Sequence, residues 1–230
     1  MAQVPLLIDG PSETPARVLL AHGAGAPMDT AFMASIANGL ARRGWRVVRF
    51  EFPYMAQRRL DGKRRPPDRL PRLLEVFREQ ALALVGQGPL VIGGKSMGGR
   101  IASLLVDDLA VHGAVRGCLC LGYPFHPPGK PEQRRTAHLE TLQTRTLIVQ
   151  GERDSFGKRA EVEGYTLSPV IDLQWIKAGD HSFKPPRSAD HSEADNWQAA
   201  VLAADQFMQA LLARTSTPAQ DPRMASSPAP

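Results

Sequence analysis

Residues 90–100 constrain the fold more than any other part of the chain, because a short apolar run breaks into glycines and then restarts with a different pattern. Leu90, Val91 and Ile92 are too few for a helix, and three consecutive apolar residues suit a strand buried on both faces of a parallel sheet. Beyond the glycines, apolar residues recur at helical spacing, at Ile101, Leu104, Leu105 and Leu109. The segment therefore predicts a strand, a sharp turn and a helix.

The turn at residues 94–98 matches the G-x-S-x-G pattern, in which a serine lies strained at a strand-to-helix corner with its hydroxyl exposed. The glycines on both sides of Ser96 are expected to let the helix pass close to the strand. A phosphate-binding P-loop would need a glycine five positions before Gly94, where the chain has Pro89. The other alternative is a glycine-rich turn whose serine has no function. Residues elsewhere in the chain are needed to distinguish the two.

A length of 230 residues, 43% of them hydrophobic, suits one domain of ordinary size. We expect that domain to span residues 1–213, with a final amphipathic helix over residues 192–213. Residues 214–230 are mostly Ser, Thr, Pro and Ala and predict a disordered tail.

Strand-like and helix-like segments alternate along the chain, and a β-α-β unit is complete within the first 50 residues. The pattern predicts an α/β fold with a doubly wound, mostly parallel sheet of six to seven strands. Phe52 begins a long segment interpreted as a loop, and residues 125–143 are too short for a large lid. In such sheets ligands bind at the carboxyl ends of the strands.

The net charge of +5 is concentrated in a basic segment, which we interpret as a solvated surface loop. No aromatic residues interleave with its charges, so nucleic acid is not expected as a partner. The alternative is a basic rim that favours anionic substrates. The segment contains Arg58, Arg59, Lys63, Arg64, Arg65, Arg69 and Arg72.

Cys118 and Cys120 lie two residues apart on a predicted strand, so they share one face and are poorly placed to bridge each other. Two free buried thiols fit a reducing compartment, and a cytoplasmic location is expected. The first 20 residues lack a signal-peptide pattern, and no apolar run approaches the about 18 residues of a membrane span. The spacing of Cys, His and acidic residues predicts neither a metal site nor a cofactor.

Ser96 follows one predicted strand, Asp154 another and His181 the last, which is the order nucleophile, acid, base. A serine hydroxyl becomes a useful nucleophile when an imidazole accepts its proton, and a carboxylate fixes the imidazole tautomer. Glu152 is the alternative acid, interpreted as solvent-exposed, and His191 is the alternative base. The three residue types at three strand ends predict a catalytic triad.

The second requirement of acyl transfer is a pair of fixed donors for the developing oxyanion. The N–H groups of Met97, directly after the serine, and of Ala24, in the loop at residues 22–25, are the candidates. Gly25, Tyr123 and His126 are candidate substrate contacts, with packing in the core or at the rim the more ordinary role for the last two. His22 is interpreted as fixing its own loop.

The same loop approximates a dinucleotide-binding fingerprint, with Glu51 past the following strand. Met28 stands where the third glycine belongs and Pro27 interrupts the turn, so a nucleotide-binding oxidoreductase is the weaker alternative.

Four segments together resemble a small α/β-hydrolase family that includes testis-expressed and NSL-complex hydrolase-like proteins and many bacterial members. They are residues 22–29 (HGAGAPMD), 50–55 (FEFPYM), 93–100 (GGKSMGGR) and 179–183 (GDHSF). Dienelactone hydrolases are more distantly similar, but they use a cysteine nucleophile where this chain has Ser96. The resemblance implies the fold, a site with little lid, and Ser96, Asp154 and His181 as the triad.

These observations predict a serine hydrolase of the carboxylesterase kind, acting on a small ester or thioester, with an anionic group in the substrate as a further expectation. Because some relatives in the resembled family act as subunits of complexes, a non-catalytic interaction module on the same fold is the alternative. The sequence leaves the oligomeric state open.

Overall fold

The computed structural model describes residues 4–14, 16–111, 113 and 115–215, and its frame is a twisted β-sheet. Seven strands form that sheet within the described residues, in the order β1-β3-β2-β4-β5-β6-β7. Only β1 runs antiparallel, against β3, while the other strands pair in parallel. The strands are β1 (Leu6–Asp9), β2 (Arg17–Ala21), β3 (Arg46–Phe50), β4 (Leu90–Lys95), β5 (Val115–Leu121), β6 (Thr146–Gly151) and β7 (Ile171–Ile176).

Helices cover both faces of the sheet, which confirms the doubly wound, mostly parallel α/β fold predicted from the sequence. One face packs against α3 and α4, with Phe77, Ile101 and Leu105 in the core, and the other packs against α1 and α6. No lid domain lies over the carboxyl edge in the described part of the chain. The helices are α1 (Ala31–Ala41), α2 (Pro53–Asp61), α3 (Leu70–Leu82), α4 (Met97–Val111), α5 (Arg159–Val162) and α6 (Glu193–Thr215), with a 3₁₀ turn at Ala137–Glu140.

Helix α2 was not predicted, because the sequence interpretation placed a loop from Phe52 onward. Pro53 occupies the first helical position, where its fixed φ and missing N–H are tolerated. Gly62, at φ 69°, ends the helix, and its N–H donates to the carbonyl of Arg58 at 2.8 Å. Only Tyr54 and Met55 are buried, so the apolar signal of this helix is weak.

The C-terminal helix runs to Thr215, two residues beyond the predicted boundary at residue 213. The rest of the predicted disordered tail, residues 216–230, lies outside the described residues. No helix among the described residues is both long and apolar enough to cross a membrane.

Candidate active site

The junction of β4 and α4 holds Ser96 in a strained backbone conformation, at φ 51°. The helix can start directly after the strand because the flanking glycines have no Cβ. A Cβ on Gly94 would lie 2.3 Å from the carbonyl oxygen of Ala21, and one on Gly98 would lie 2.4 Å from it. The Ser96 N–H donates to the Leu121 carbonyl at 3.0 Å, which anchors the turn to β5. The hydroxyl is thereby presented above the carboxyl edge of the sheet.

The structure brings together the three side chains predicted to form a triad. His181 Nε2 lies 2.9 Å from Ser96 Oγ, and His181 Nδ1 lies 2.8 Å from Asp154 Oδ2. Asp154 follows β6 and His181 follows β7, so adjacent strands deliver the acid and the base. Both distances are ordinary hydrogen-bond lengths for such groups.

Asp154 is fully buried, and its two oxygens are held by several donors. Oδ1 accepts the Phe156 N–H at 2.9 Å, while Oδ2 accepts from the side-chain amide of Gln150 at 2.9 Å as well as facing His181. The Gln150 side chain is fixed in turn, because its Oε1 accepts the Tyr123 N–H at 2.7 Å. This network orients the carboxylate toward the imidazole.

Burial lowers the pKa of the His181 imidazole, and the positive charge of Lys95 lowers it further, while the hydrogen bond to Asp154 opposes both. The ring of Phe156 lies 4.3 Å from the imidazole, measured between centroids, and shields it on one side. A lowered pKa keeps the imidazole neutral near neutral pH. It is then able to accept a proton from Ser96.

Lys95, the residue before the serine, is buried beneath the site. Its Nζ donates to the backbone carbonyl of His181 at 2.7 Å and lies 5.5 Å from the centroid of the Phe32 ring. Burial lowers the Lys95 pKa to about 8. The ammonium group therefore holds the base-bearing loop against the elbow.

The loop after β2 is fixed by His22, as the sequence interpretation expected. The His22 ring accepts the Phe52 N–H through Nε2 at 3.1 Å and faces the Gly23 carbonyl through Nδ1 at 2.7 Å. A neutral ring with its proton on Nδ1 satisfies both contacts, and burial lowers the His22 pKa, which favours that form.

Helix α2 supports the same loop from the other side. The Tyr54 hydroxyl donates to the Ala24 carbonyl at 2.9 Å, and the Arg58 guanidinium donates to the Gly25 carbonyl at 3.1 Å. The N–H groups of Ala24 and Met97 have no acceptor among the described residues. Both residues line the space beside Ser96, and their role as oxyanion donors stays a prediction.

Two cavities meet at Ser96 and share Ala24 and Phe156. The first, which we call the apolar lobe, has a volume of about 320 Å³. The second, which we call the arginine lobe, has a volume of about 420 Å³. The apolar lobe includes Gly25, Pro27, Phe32, Met33 and His181. The arginine lobe includes Met97, Asp68, Leu73, Arg100, Ile101 and Arg135.

Gly25, a candidate substrate contact, lies in the apolar lobe, whereas Tyr123 and His126 line neither cavity. Tyr123 is fully buried, and its hydroxyl donates to the Arg135 carbonyl at 2.8 Å. His126 is also buried and contacts Glu161 and the carbonyl of Pro127. The chain after β5 turns inward, so both side chains fill the interior, which is the packing role that the sequence analysis gave as the more ordinary one.

The alternative site residues lie apart from the triad. Glu152, expected to be solvent-exposed, is partly exposed; it accepts the Ala178 N–H at 2.8 Å and pairs with Arg159 at 3.0 Å. His191 contacts Asp190 and the Lys177 carbonyl. Glu51, the acid that the dinucleotide alternative requires, is fully buried and paired with Arg59. In the described part of the chain no group of three or more His, Cys, Asp or Glu side chains is placed to hold a metal ion.

Sequence reasoning missed Gln150, Phe156 and Lys95. Gln150 carried a signal, since an amide at the end of the apolar run Leu147–Val149 needs a partner when the strand is buried. Lys95 occupies a variable position of the G-x-S-x-G pattern, and that pattern does not indicate whether the side chain is buried. Phe156 lies in an irregular loop, so no periodicity places its ring. The contacts that Lys95 and Phe156 make with the His181 loop depend on tertiary packing alone.

A family model described as an alpha/beta hydrolase domain matches residues 14–209. Solved structures with a similar fold include an alpha-beta serine hydrolase homologue from Coxiella burnetii, with 16% identity, coverage of 93% of this chain and 92% of that chain, and a TM-score of 0.60. A dienelactone hydrolase from Anabaena variabilis has 18% identity, coverage of 90% and 91%, and a TM-score of 0.68. An α/β serine hydrolase without a lid from Xanthomonas campestris has 17% identity, coverage of 95% and 91%, and a TM-score of 0.63. At these identities the solved structures show only a shared fold. The family model matches most of the sequence, so the chain belongs to the alpha/beta hydrolase domain family.

Proposed function

We propose that this chain is a serine hydrolase that cleaves a small carboxylic ester or thioester through an acyl-enzyme intermediate. One observation carries the proposal: Ser96 Oγ, His181 and the buried Asp154 are joined by contacts of 2.9 and 2.8 Å at a strained strand-to-helix turn. An incidental serine in a glycine-rich turn would not require a histidine and a buried carboxylate aligned behind it.

In the first half of the proposed reaction, Ser96 Oγ attacks the carbonyl carbon of the substrate while His181 Nε2 takes the hydroxyl proton. The carbonyl oxygen becomes an oxyanion that accepts hydrogen bonds from the N–H groups of Met97 and Ala24. Collapse of the tetrahedral intermediate breaks the bond to the alcohol or thiol, which leaves with the proton from His181. Asp154 stabilises the imidazolium while it exists.

In the second half, His181 accepts a proton from water as the water oxygen attacks the acyl carbon of the intermediate. The bond to Ser96 Oγ then breaks, and His181 returns the proton to the serine. The carboxylic acid product leaves, and the site is restored. Both halves use the same donors and the same base.

Fluorophosphonate labelling of the purified protein tests this proposal, because the probe reacts only with an activated serine. We expect the wild type to label, whereas Ser96→Ala and His181→Ala variants do not. His191→Ala is the matched control and should label like the wild type, since that ring lies apart from the triad. Absence of labelling in a folded wild-type protein would favour the non-catalytic interaction module instead.

Within the family, we propose that the chain is related to the testis-expressed and NSL-complex hydrolase-like proteins, because four of its motifs resemble theirs. The cytoplasmic location and the absence of a nucleic-acid partner stay predictions from the sequence.

A further inference from the structure

The arginine lobe contains two guanidinium groups beside the candidate nucleophile. Arg100 lies in the first turn of α4, and its N–H donates to the Ser96 carbonyl at 3.0 Å, so its backbone is fixed relative to the serine. Arg135 is also anchored, because its N–H donates to the Phe125 carbonyl at 2.7 Å and its carbonyl accepts the Tyr123 hydroxyl at 2.8 Å. Both side chains line the same cavity as Ser96 and Met97.

Neither guanidinium forms an ion pair among the described residues. Arg100 Nε is buried and has no hydrogen-bond partner there. The third charged group of the lobe is Asp68, whose carboxylate accepts the Tyr54 N–H at 3.2 Å and does not pair with either arginine. A buried guanidinium nitrogen without a partner is costly, and two guanidinium groups in one cavity also repel each other.

The electrostatics of the pair agree with the geometry. The Arg135 pKa is lowered by burial and by the charge of Arg100. Arg135 thus experiences the positive charge of Arg100, which no ion pair to either guanidinium neutralises among the described residues. An anion entering the lobe would neutralise that charge.

The basic segment, for which a rim favouring anionic substrates was the alternative to a solvated surface loop, has most of its arginines bound to other groups of the protein. Arg59 pairs with Glu51 and Asp29, Arg65 with Asp61 and Arg72 with Glu75. Arg58 donates to the Gly25 carbonyl. None of the basic residues of that segment lines the arginine lobe, whereas Arg100 and Arg135 do.

We propose that the arginine lobe binds an oxyanionic group of the substrate, a carboxylate or a phosphate, and that the chain hydrolyses esters or thioesters carrying such a group. The inference rests on the proposed serine hydrolase function and specifies its substrate class. Planar guanidinium groups match carboxylate and phosphate oxygens in two-point hydrogen bonds. The apolar side chains of Leu73 and Ile101 line the same lobe and suit a short hydrocarbon segment between the anion and the ester.

The kinetic experiment compares matched esters of one alcohol that differ only in the far end of the acyl chain: a methyl group, a carboxylate or a phosphate. We expect kcat/KM for at least one anionic ester to exceed that for the neutral ester by about tenfold or more, the effect of one or two charge-assisted hydrogen bonds. Arg100→Gln and Arg135→Gln should remove the preference, and Arg100→Lys should restore part of it. Comparison of the carboxylate and phosphate esters identifies which oxyanion is bound.

Arg116→Gln is the matched control, because Arg116 is an exposed arginine near the start of β5, at the opposite edge of the sheet. It removes the same charge and should keep the wild-type preference. Equal kcat/KM for neutral and anionic esters in the wild type would overturn the inference while leaving the serine hydrolase proposal intact. Loss of the preference in Arg116→Gln as well would also overturn it, since net charge alone would then explain the effect.

A second measurement does not depend on turnover. Thermal unfolding of the Ser96→Ala variant is followed with added glutarate, with inorganic phosphate and with neutral dimethyl glutarate. Binding to the folded state raises the midpoint, so we expect one of the anions to raise it more than the neutral ester does. The difference should vanish when Arg100→Gln is added and persist when Arg116→Gln is added. Equal shifts in all three proteins would contradict the inference even if no ester is hydrolysed.

Discussion

The imidazole of His181 experiences opposing charges, with the Asp154 carboxylate on one nitrogen and the Lys95 ammonium bound to its backbone carbonyl. Burial decides the balance and lowers the imidazole pKa below its usual value of 6.5. The neutral form is the one that accepts a proton from Ser96. Activity should therefore persist below pH 6.5 and fall only as the pH drops through the lowered pKa.

Replacing Lys95 with Met is expected to move that acid limb to higher pH. The ammonium group, with a pKa of about 8, is charged throughout the acid range and disfavours the imidazolium. Its removal raises the His181 pKa, so kcat/KM for a short neutral ester should begin to fall at a higher pH than in the wild type. A pH profile of kcat/KM from pH 4.5 to 8 measures the midpoint.

Lys130→Met is the control for this shift, because Lys130 is an exposed lysine in the loop after β5. It should leave the midpoint unchanged. If Lys95→Met lowers the rate equally at every pH, Lys95 acts only by holding the loop, and its charge has no influence on the base.

At the scale of elements, the short helix α2 positions the loop that carries Ala24. The hydroxyl of Tyr54 donates to the Ala24 carbonyl at 2.9 Å, and the Tyr54 ring packs 5.7 Å from the His22 ring, measured between centroids. The peptide group that contains the Ala24 carbonyl is adjacent to the one that contains the Ala24 N–H, the proposed oxyanion donor. Loss of the hydroxyl is therefore expected to affect the transition state more than the folded state.

The Tyr54→Phe variant should lower kcat by about tenfold, less than the about hundredfold to thousandfold loss from removing a whole oxyanion donor. KM should change little, since the carbonyl oxygen of a bound ester carries little charge before attack. Steady-state kinetics with a neutral ester and a thermal melt check both expectations. Tyr165→Phe, which removes a hydroxyl from a partly buried tyrosine outside both lobes, is the matched control. A rise in KM with unchanged kcat would show that α2 shapes substrate binding instead.

At the scale of the whole molecule, Asp205 connects the C-terminal helix to the N-terminal half of the chain. Its buried carboxylate accepts the Trp45 indole N–H at 2.7 Å and the Arg43 guanidinium at 3.0 Å. Helix α6 is thereby fixed beside α1 over one face of the sheet. These contacts span about 160 residues of sequence, as the separation of the bonded pair shows.

Asp205→Ala should lower the free energy of unfolding by about 2 kcal/mol, because the Trp45 N–H loses its acceptor and a small cavity remains. Asp205→Asn retains an acceptor oxygen and should lose about half as much. Chemical denaturation of the three proteins measures both differences. Equal losses in the two variants would mean that the negative charge, through Arg43, carries the whole effect.

The sequence predicted the elements whose signal is local and periodic. The apolar run before Gly94, the elbow and the strands that end near Asp154 and His181 are each legible in a few residues, and parallel pairing brings their ends to one edge. That Ser96, Asp154 and His181 lie close together was predictable, because the topology of the sheet determines it. Helix α2 was missed because it is short, largely polar and begins with a proline, a residue that also begins loops.

Other features could not be predicted because they depend on which side chains finally meet. The inward turn after β5 buries Tyr123 and His126, and nothing in the residues themselves distinguishes that turn from one facing the cleft. The same holds for Arg100 and Arg135, which lie 35 positions apart and become neighbours only across the finished cavity. Whether a charged residue has an ion-pair partner depends on the assembled fold.

The position of β7 at the outer edge of the sheet has a consequence for the newly made chain. The serine is synthesised 85 residues before the histidine that contacts it, and the acid is synthesised between them. Until the last strand joins the sheet, Ser96 lacks the base that the proposed mechanism requires. The proposed reactivity therefore depends on the last strand made, because docking of β7 brings His181 to the serine.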